Sequence, residues 1–239
     1  MALSLVSLNI EGRKHFDTIT PFLKQEQPDV FCVQELCKQD VSYFEAVLDA
    51  PGTFMPLAIS NVWQDEIGVG IFTPHQVTFE SHWYGGNKGP LRRNDTTSME
   101  TRYESCTFSL LVARVTKENE AFTIGTTHFP VTEGGQVTDF QREALENLLA
   151  VLAEYDDIVF CGDLNAPRGR EIFDAIKVRY TDHIPPEYES SLDPNIHRAG
   201  PIPFVVDGLF STGGYVVTDV AYHCGVSDHC AIQATIECK

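Results

Sequence analysis

Residues able to bind cations or move protons recur where apolar, strand-like runs of this chain end. Asn9 and Glu11 stand at the close of the run from Leu3 to Ile10, and Glu35 follows Val30–Val33. His128 ends the run from Phe122, and Asp163 and Asn165 follow Ile158–Cys161. Asp207 interrupts an apolar run, and Asp228-His229 precede the last one. A strand delivers its terminal side chain to a sheet edge, so groups far apart in sequence can meet there. Together they would form an acidic pocket containing imidazoles. Oxygen donors of this kind suit Mg²⁺ or Mn²⁺, whereas zinc asks for more His or Cys. Such a pocket can hydrolyse a phosphate ester. A cation and imidazolium donors neutralise charge on the phosphate oxygens, and a carboxylate or imidazole takes the proton of the attacking water.

Taken singly, each residue has an ordinary explanation. Asn favours turns, Glu caps helices, and a lone His is usually a hydrogen-bonded surface residue. Asp207 resists this, because a carboxylate between Val206 and Gly208-Leu209-Phe210 is costly to bury unpaired. The joint placement carries the expectation.

The elements that must position these groups follow from hydrophobic periodicity. Buried strands are expected at Leu3–Ile10, Val30–Val33 and Ile158–Cys161, and further strands at 53–59, 67–73, 76–84, 105–116, 121–129, 204–211, 215–223 and 230–237. Apolar residues at helical spacing predict helices over 15–26, 40–49, 137–154 and 169–177. Residues 85–104 are polar and read as a surface loop or extended hairpin, with Trp83-Tyr84 beside it able to touch a bilayer or stack a base. No repeat or linker interrupts the chain, so one α/β domain over 1–239 is expected, with hairpin-connected strands in mixed sheets.

Composition sets limits on the partners. A formal net charge of -17 opposes indiscriminate coating of nucleic acid, although bound cations would reverse the sign locally. The 7 Cys lie mostly in apolar runs and read as buried reduced thiols, even though Cys224 and Cys230 flank His229. The N-terminus lacks a basic n-region and a small-residue cleavage site, and no run approaches the roughly twenty apolar residues of a membrane span. The expectation is a cytoplasmic protein with no integral membrane segment and no obligate protein partner.

The segments Ser7-Leu8-Asn9-Ile10-Glu11-Gly12, Val33-Gln34-Glu35, Thr126-Thr127-His128-Phe129-Pro130, Gly162-Asp163-Leu164-Asn165, Val206-Asp207-Gly208-Leu209 and Ser227-Asp228-His229 occur in an order that resembles the endonuclease/exonuclease/phosphatase superfamily. The resemblance implies a four-layer α/β sandwich: two packed mixed sheets with outer helices and the site at one edge. It implies Glu35 as principal metal ligand, with Asn9 and Asp228 near the cation or the phosphate. Asp163 would orient or deprotonate the water, and Asn165 would bind the phosphate. His229, oriented by Asp207, would contact a non-bridging oxygen or act as acid/base, and His128 would be a second imidazole. Many members carry a basic residue two before the Asp207 position and an aromatic just after it. Here these are Val205 and Gly208, which leaves Asp219 as a fallback partner for His229.

Substrate identity stays open between a nucleic acid and a small or lipid-linked phosphoester. The acidic charge and the lack of a basic stripe favour the small substrate. Arg198 or Arg168 is expected to bind a substrate phosphate, a task suited to guanidinium geometry. A non-catalytic binding module on the same fold would be expected to have lost some site residues, and here all the motif positions are filled.

Overall fold

The computed structural model describes all residues, Met1–Lys239. Two six-stranded mixed sheets pack face to face. The first contains β1 (Ala2–Asn9), β2 (Val30–Cys37), β3 (Gly52–Ile59), β4 (Glu66–Phe72), β11 (Tyr215–His223) and β12 (Ala231–Cys238), in the order β11-β12-β1-β2-β4-β3. The second contains β5 (Gln76–Gly86), β6 (Thr107–Lys117), β7 (Glu120–His128), β8 (Val159–Asp163), β9 (Thr181–Asp182) and β10 (Asp207–Ser211), in the order β5-β6-β7-β8-β10-β9. Helices α1 (Phe16–Glu26) and α2 (Val41–Leu48) cover the first sheet; α4 (Asp139–Leu152) and α5 (Glu171–Lys177) cover the second. The expected four-layer sandwich is the observed architecture.

The period-two alternation of a strand decides which side chains reach the site. In β1, Val6 and Leu8 pack under α1 and α2 with Ile19, Leu23 and Phe44, while Leu3 and Leu5 face the second sheet. Asn9 shares the parity of Leu3 and Leu5, so it points between the sheets. In β2, Phe31 and Val33 face the helices and Cys32 faces the second sheet. Strict alternation would place Glu35 under the helices. Instead the β2–β4 register shifts between Gln34 and Leu36, and Glu35 takes a left-handed backbone with φ 58°. It is the extra residue of a β-bulge, which returns Leu36 to the helix side and re-aims the carboxylate toward the sheet edge.

Three sequence expectations change. Residues 85–104 are not wholly irregular: β5 runs on to Gly86, and Ser98 and Thr101 form a capping box that starts α3 (Met99–Ser105). Tyr84 is no exposed stacking group; it is fully buried, stacks on Phe129 and shares a hydrogen bond with Thr127. The cysteines are not all reduced thiols. Cys224 and Cys230 form a disulfide across the turn that carries His229, while Cys32, Cys37, Cys106 and Cys161 are free and buried. No helix is long and apolar enough to cross a membrane.

Asp29 joins the two sheets at the start of β1. Its carboxylate accepts from the Ser4 N–H (2.8 Å) and hydroxyl (3.0 Å), and pairs with His75 (2.7 Å) and Lys117 (2.7 Å). Burial alone would raise its pKa; Lys117, Ser4 and His75 outweigh that and hold it at about 2. A depressed carboxylate adds stability above its unfolded pKa, and this is lost as pH falls through the folded value. Asp29→Asn is therefore expected to cost about 2 kcal/mol at pH 7. The gap from wild type should close as unfolding is measured at successively lower pH, from about 4 toward 2; a gap that stays constant would contradict this account.

Candidate active site

Strand register assembles the site. β7 pairs in parallel with β8, placing His128 opposite Asp163. β8 pairs antiparallel with β10, placing Asp163 opposite Asp207. His128, Asp163 and Asp207 therefore form one row across the end of the second sheet. Two carboxylates directly opposed in a sheet repel each other. His229 lies between them: Nδ1 is 2.8 Å from Asp207 Oδ2, and Nε2 is 3.8 Å from Asp163 Oδ2. Asp163, Asp207 and His229 are all buried. Burial alone would lower the pKa of the His229 imidazole; the Asp207 and Asp163 carboxylates outweigh that and push it up to about 10.

The first sheet reaches the row through Asn9. Its Nδ2 donates to Asp163 Oδ2 at 3.0 Å and to Glu35 Oε1 at 3.4 Å, and its Oδ1 accepts from the Glu11 N–H at 3.1 Å. Glu35 is thus linked to His229 through Asn9 and Asp163, and both line one cleft of about 520 Å³. In this orientation Asn9 holds the two carboxylates with its amide nitrogen rather than offering an oxygen to a cation. His128 Nε2 is 3.5 Å from Asp163 Oδ2. Asn165 also takes a left-handed backbone (φ 48°); its N–H donates to Asp163 Oδ1 at 2.8 Å and its Nδ2 to the Phe129 carbonyl at 3.0 Å.

The donor set fits a hard divalent cation. Glu35 has no basic partner and only the long contact from Asn9. The Asp228 carboxyl is raised above its ordinary pKa by burial and further by Glu11 and Glu35, against the opposing effect of His229. Ligand atoms of Glu11, His15 and Asp228 lie within 4.8 Å of one another, as do those of Asp163, Asp207 and His229. Glu11 is already paired with Lys14 and His15, whereas Glu35 and Asp228 make no ion pair, so two carboxylates face this space without a balancing charge.

The arginines divide. Arg198 is exposed on the cleft wall with no ion pair. The structure does not bring Arg168 to the cleft: its guanidinium donates to the carbonyls of Ile184, Pro185 and Tyr188, each at 3.3 Å. Removing that fork would leave the Ile184 and Tyr188 carbonyls without a donor, while Pro185 keeps the Tyr188 N–H, a structural task that spacing along the chain does not reveal. The fallback Asp219 is likewise excluded, since it sits at a bulge of β11 and Asp207 holds His229. The departure at Gly208 has a steric cause. A Cβ there would lie 2.3 Å from the Phe210 ring, so an aromatic side chain has no room. Sequence reasoning overlooked His197 and Trp63, which also line the cleft. Neither lies in a motif, and His197 falls in an irregular segment with no periodicity to mark its direction.

A model of the Endonuclease/Exonuclease/phosphatase family matches residues 6–229. No curated protein sequence matches the chain. Among solved structures, an endonuclease/exonuclease/phosphatase from Bacteroides vulgatus superposes with a TM-score of 0.74 at 15% identity, covering 100% of both chains. A mannosyl-6-phosphatase of Bacteroides thetaiotaomicron gives 0.68 at 12% identity, covering 98% of this chain and 99% of that one. A humanized D. rerio TDP2 gives 0.65 at 20% identity, covering 99% of each.

Proposed function

Because the chain belongs to the endonuclease/exonuclease/phosphatase family, whose members are generally phosphoester hydrolases, we propose that it is a divalent-metal-dependent phosphodiesterase using water as nucleophile. It would act as one domain spanning 1–239. The observation that carries this reading is the row His128–Asp163–Asp207 with His229 between the carboxylates.

In this reading Asp163 takes a proton from the attacking water; Asn9 and Asn165 fix its two oxygens. His229 offers an N–H to a non-bridging phosphate oxygen, and Asp207 fixes its ring and its charge. His128 supports Asp163 and contacts the phosphate. Asn165 and Arg198 bind the substrate's anionic groups. Glu35 and Asp228, with Glu11 beside them, would hold Mg²⁺ or Mn²⁺, which when bound supplies charge neutralisation at the phosphate.

A second reading, hydrolysis of a small or lipid-linked phosphoester such as an inositol phosphate or a sphingomyelin-like headgroup, is favoured by the net charge of -17, which repels a polyanion. An activity panel separates the two: bis-p-nitrophenyl phosphate, single- and double-stranded DNA, RNA, inositol phosphates and sphingomyelin, each with Mg²⁺, Mn²⁺ or chelator. The expected result is hydrolysis that chelator abolishes and added Mg²⁺ or Mn²⁺ restores. Activity indifferent to chelator would contradict the metal role. Metal binding with no hydrolysis anywhere in the panel would support a binding module instead.

A further inference from the structure

The turn that carries His197 is folded around one buried carboxylate. Asp193 is 3% exposed. Its Oδ1 accepts from the N–H groups of Asn195 (2.8 Å) and Ile196 (3.0 Å), and its Oδ2 from Gly225 N–H (2.6 Å). The Asp193 N–H donates to the Asp228 carbonyl at 2.8 Å, and its carbonyl accepts from the His197 N–H at 2.9 Å. One side chain therefore shapes this turn and ties it to the loop bearing Asp228 and His229. The result is a His197 ring set edge-on to His229, with an interplanar angle of 81° and centroids 6.5 Å apart, on the wall of the same cleft.

The ring has a defined polarity. Its Nδ1 accepts from the Ala199 N–H at 3.4 Å, and it makes no other hydrogen bond or ion pair. An imidazole that accepts at Nδ1 carries its hydrogen on Nε2. Nε2–H is thus a donor without a partner, at the outer edge of a ring held beside the reacting centre. The other two imidazoles are committed. His229 is bonded through Nδ1 to Asp207, and its Nε2 faces Asp163; His128 also faces Asp163. Both are therefore committed to Asp163 and to the non-bridging oxygens of the phosphate. Displacement at phosphorus places the leaving oxygen opposite the entering one, so it needs a different donor.

We propose that His197 donates Nε2–H to the leaving-group oxygen and stabilises the alkoxide as the P–O bond breaks. This rests on the hydrolase reading above and deepens it. The water oxygen bonds to phosphorus as the ester bond breaks. The water's proton goes to Asp163, and the departing alkoxide takes its proton from solvent; His197 transfers none. A donor here matters for esters of unactivated alcohols, such as sugar, polyol or nucleoside hydroxyls, and matters little where the leaving group is already a stable anion.

The test compares methyl p-nitrophenyl phosphate with methyl phenyl phosphate, which differ only in the stability of the departing phenolate. His197→Ala should lower kcat/KM on the phenyl ester by about a hundredfold and on the p-nitrophenyl ester by less than about tenfold. His197→Gln keeps an N–H donor and should recover about tenfold on the phenyl ester. Melting curves of both variants should match wild type, since the ring is partly exposed. Equal losses on the two esters, or no loss on either, with an active wild type would overturn the leaving-group role alone. A wild type inactive on both esters would overturn this role, and one inactive throughout the panel above as well would overturn the hydrolase reading with it.

Discussion

Glu35→Ala should reduce kcat/KM for phosphoester hydrolysis by about three orders of magnitude and leave the melting temperature within about 2 °C of wild type. Few side chains in this fold would so separate activity from stability. Glu35 is the extra residue of a bulge, with its backbone at φ 58°. Its carboxylate has no basic partner and one long contact, 3.4 Å from Asn9. Truncation breaks no ion pair and only that one long contact, so the fold loses little. The carboxylates around Asp228, by contrast, lose a ligand for the charge that would neutralise them. The measurement is steady-state kinetics across a Mg²⁺ titration beside a thermal melt. A variant with wild-type turnover at the same Mg²⁺ concentration would remove Glu35 from the site.

Asp207→Asn is the second large effect, and it should cost both activity and stability. In serine proteases, neutralising the Asp of the triad costs about 10⁴ in kcat; a loss of about 10³ or more is expected here by the same logic of ring orientation and charge. Asp207 is buried and bonds His229 Nδ1 at 2.8 Å. Without its charge, a buried imidazolium is left with less compensation. The pH sign follows from a raised pKa. The His229 imidazole, held at about 10 against an ordinary 6.5, adds stability that is full below 6.5 and is lost as pH rises through 10. Wild type should thus lose stability across this alkaline window, and Asp207→Asn should show a flatter dependence. Its activity should also decline at lower pH than that of wild type. Superimposable pH–rate profiles with undiminished kcat would contradict the pairing.

Much of this site was legible because strands impose parity. Asn9 shares a face with Leu3 and Leu5, and motif order placed Asp163, Asp207 and His229 at strand ends that the observed register brings together. Five features were hidden for physical reasons. The bulge that turns Glu35 outward breaks the alternation used to read β2. The capping box at Ser98 is local chemistry within a polar stretch whose apolar periodicity is too weak to announce a helix. Cys224 and Cys230 pair because a turn brings their Cα atoms within 4.2 Å, which spacing alone does not require. Arg168 looked like a phosphate ligand because it follows Asn165, yet its guanidinium holds a loop whose path only the fold reveals. His197 is the same problem reversed: an irregular segment gives no period from which to read its direction.

The account depends on one cation held by Glu35 and Asp228 of the first sheet beside the His128–Asp163–Asp207 row of the second. The most direct measurement is anomalous diffraction from crystals of the protein grown with Mn²⁺. The expected result is a peak within about 2.5 Å of a Glu35 carboxylate oxygen, shared with Asp228 and facing the Asp163–His229 row. A fully occupied peak elsewhere, or none at Mn²⁺ concentrations that support hydrolysis, would contradict it.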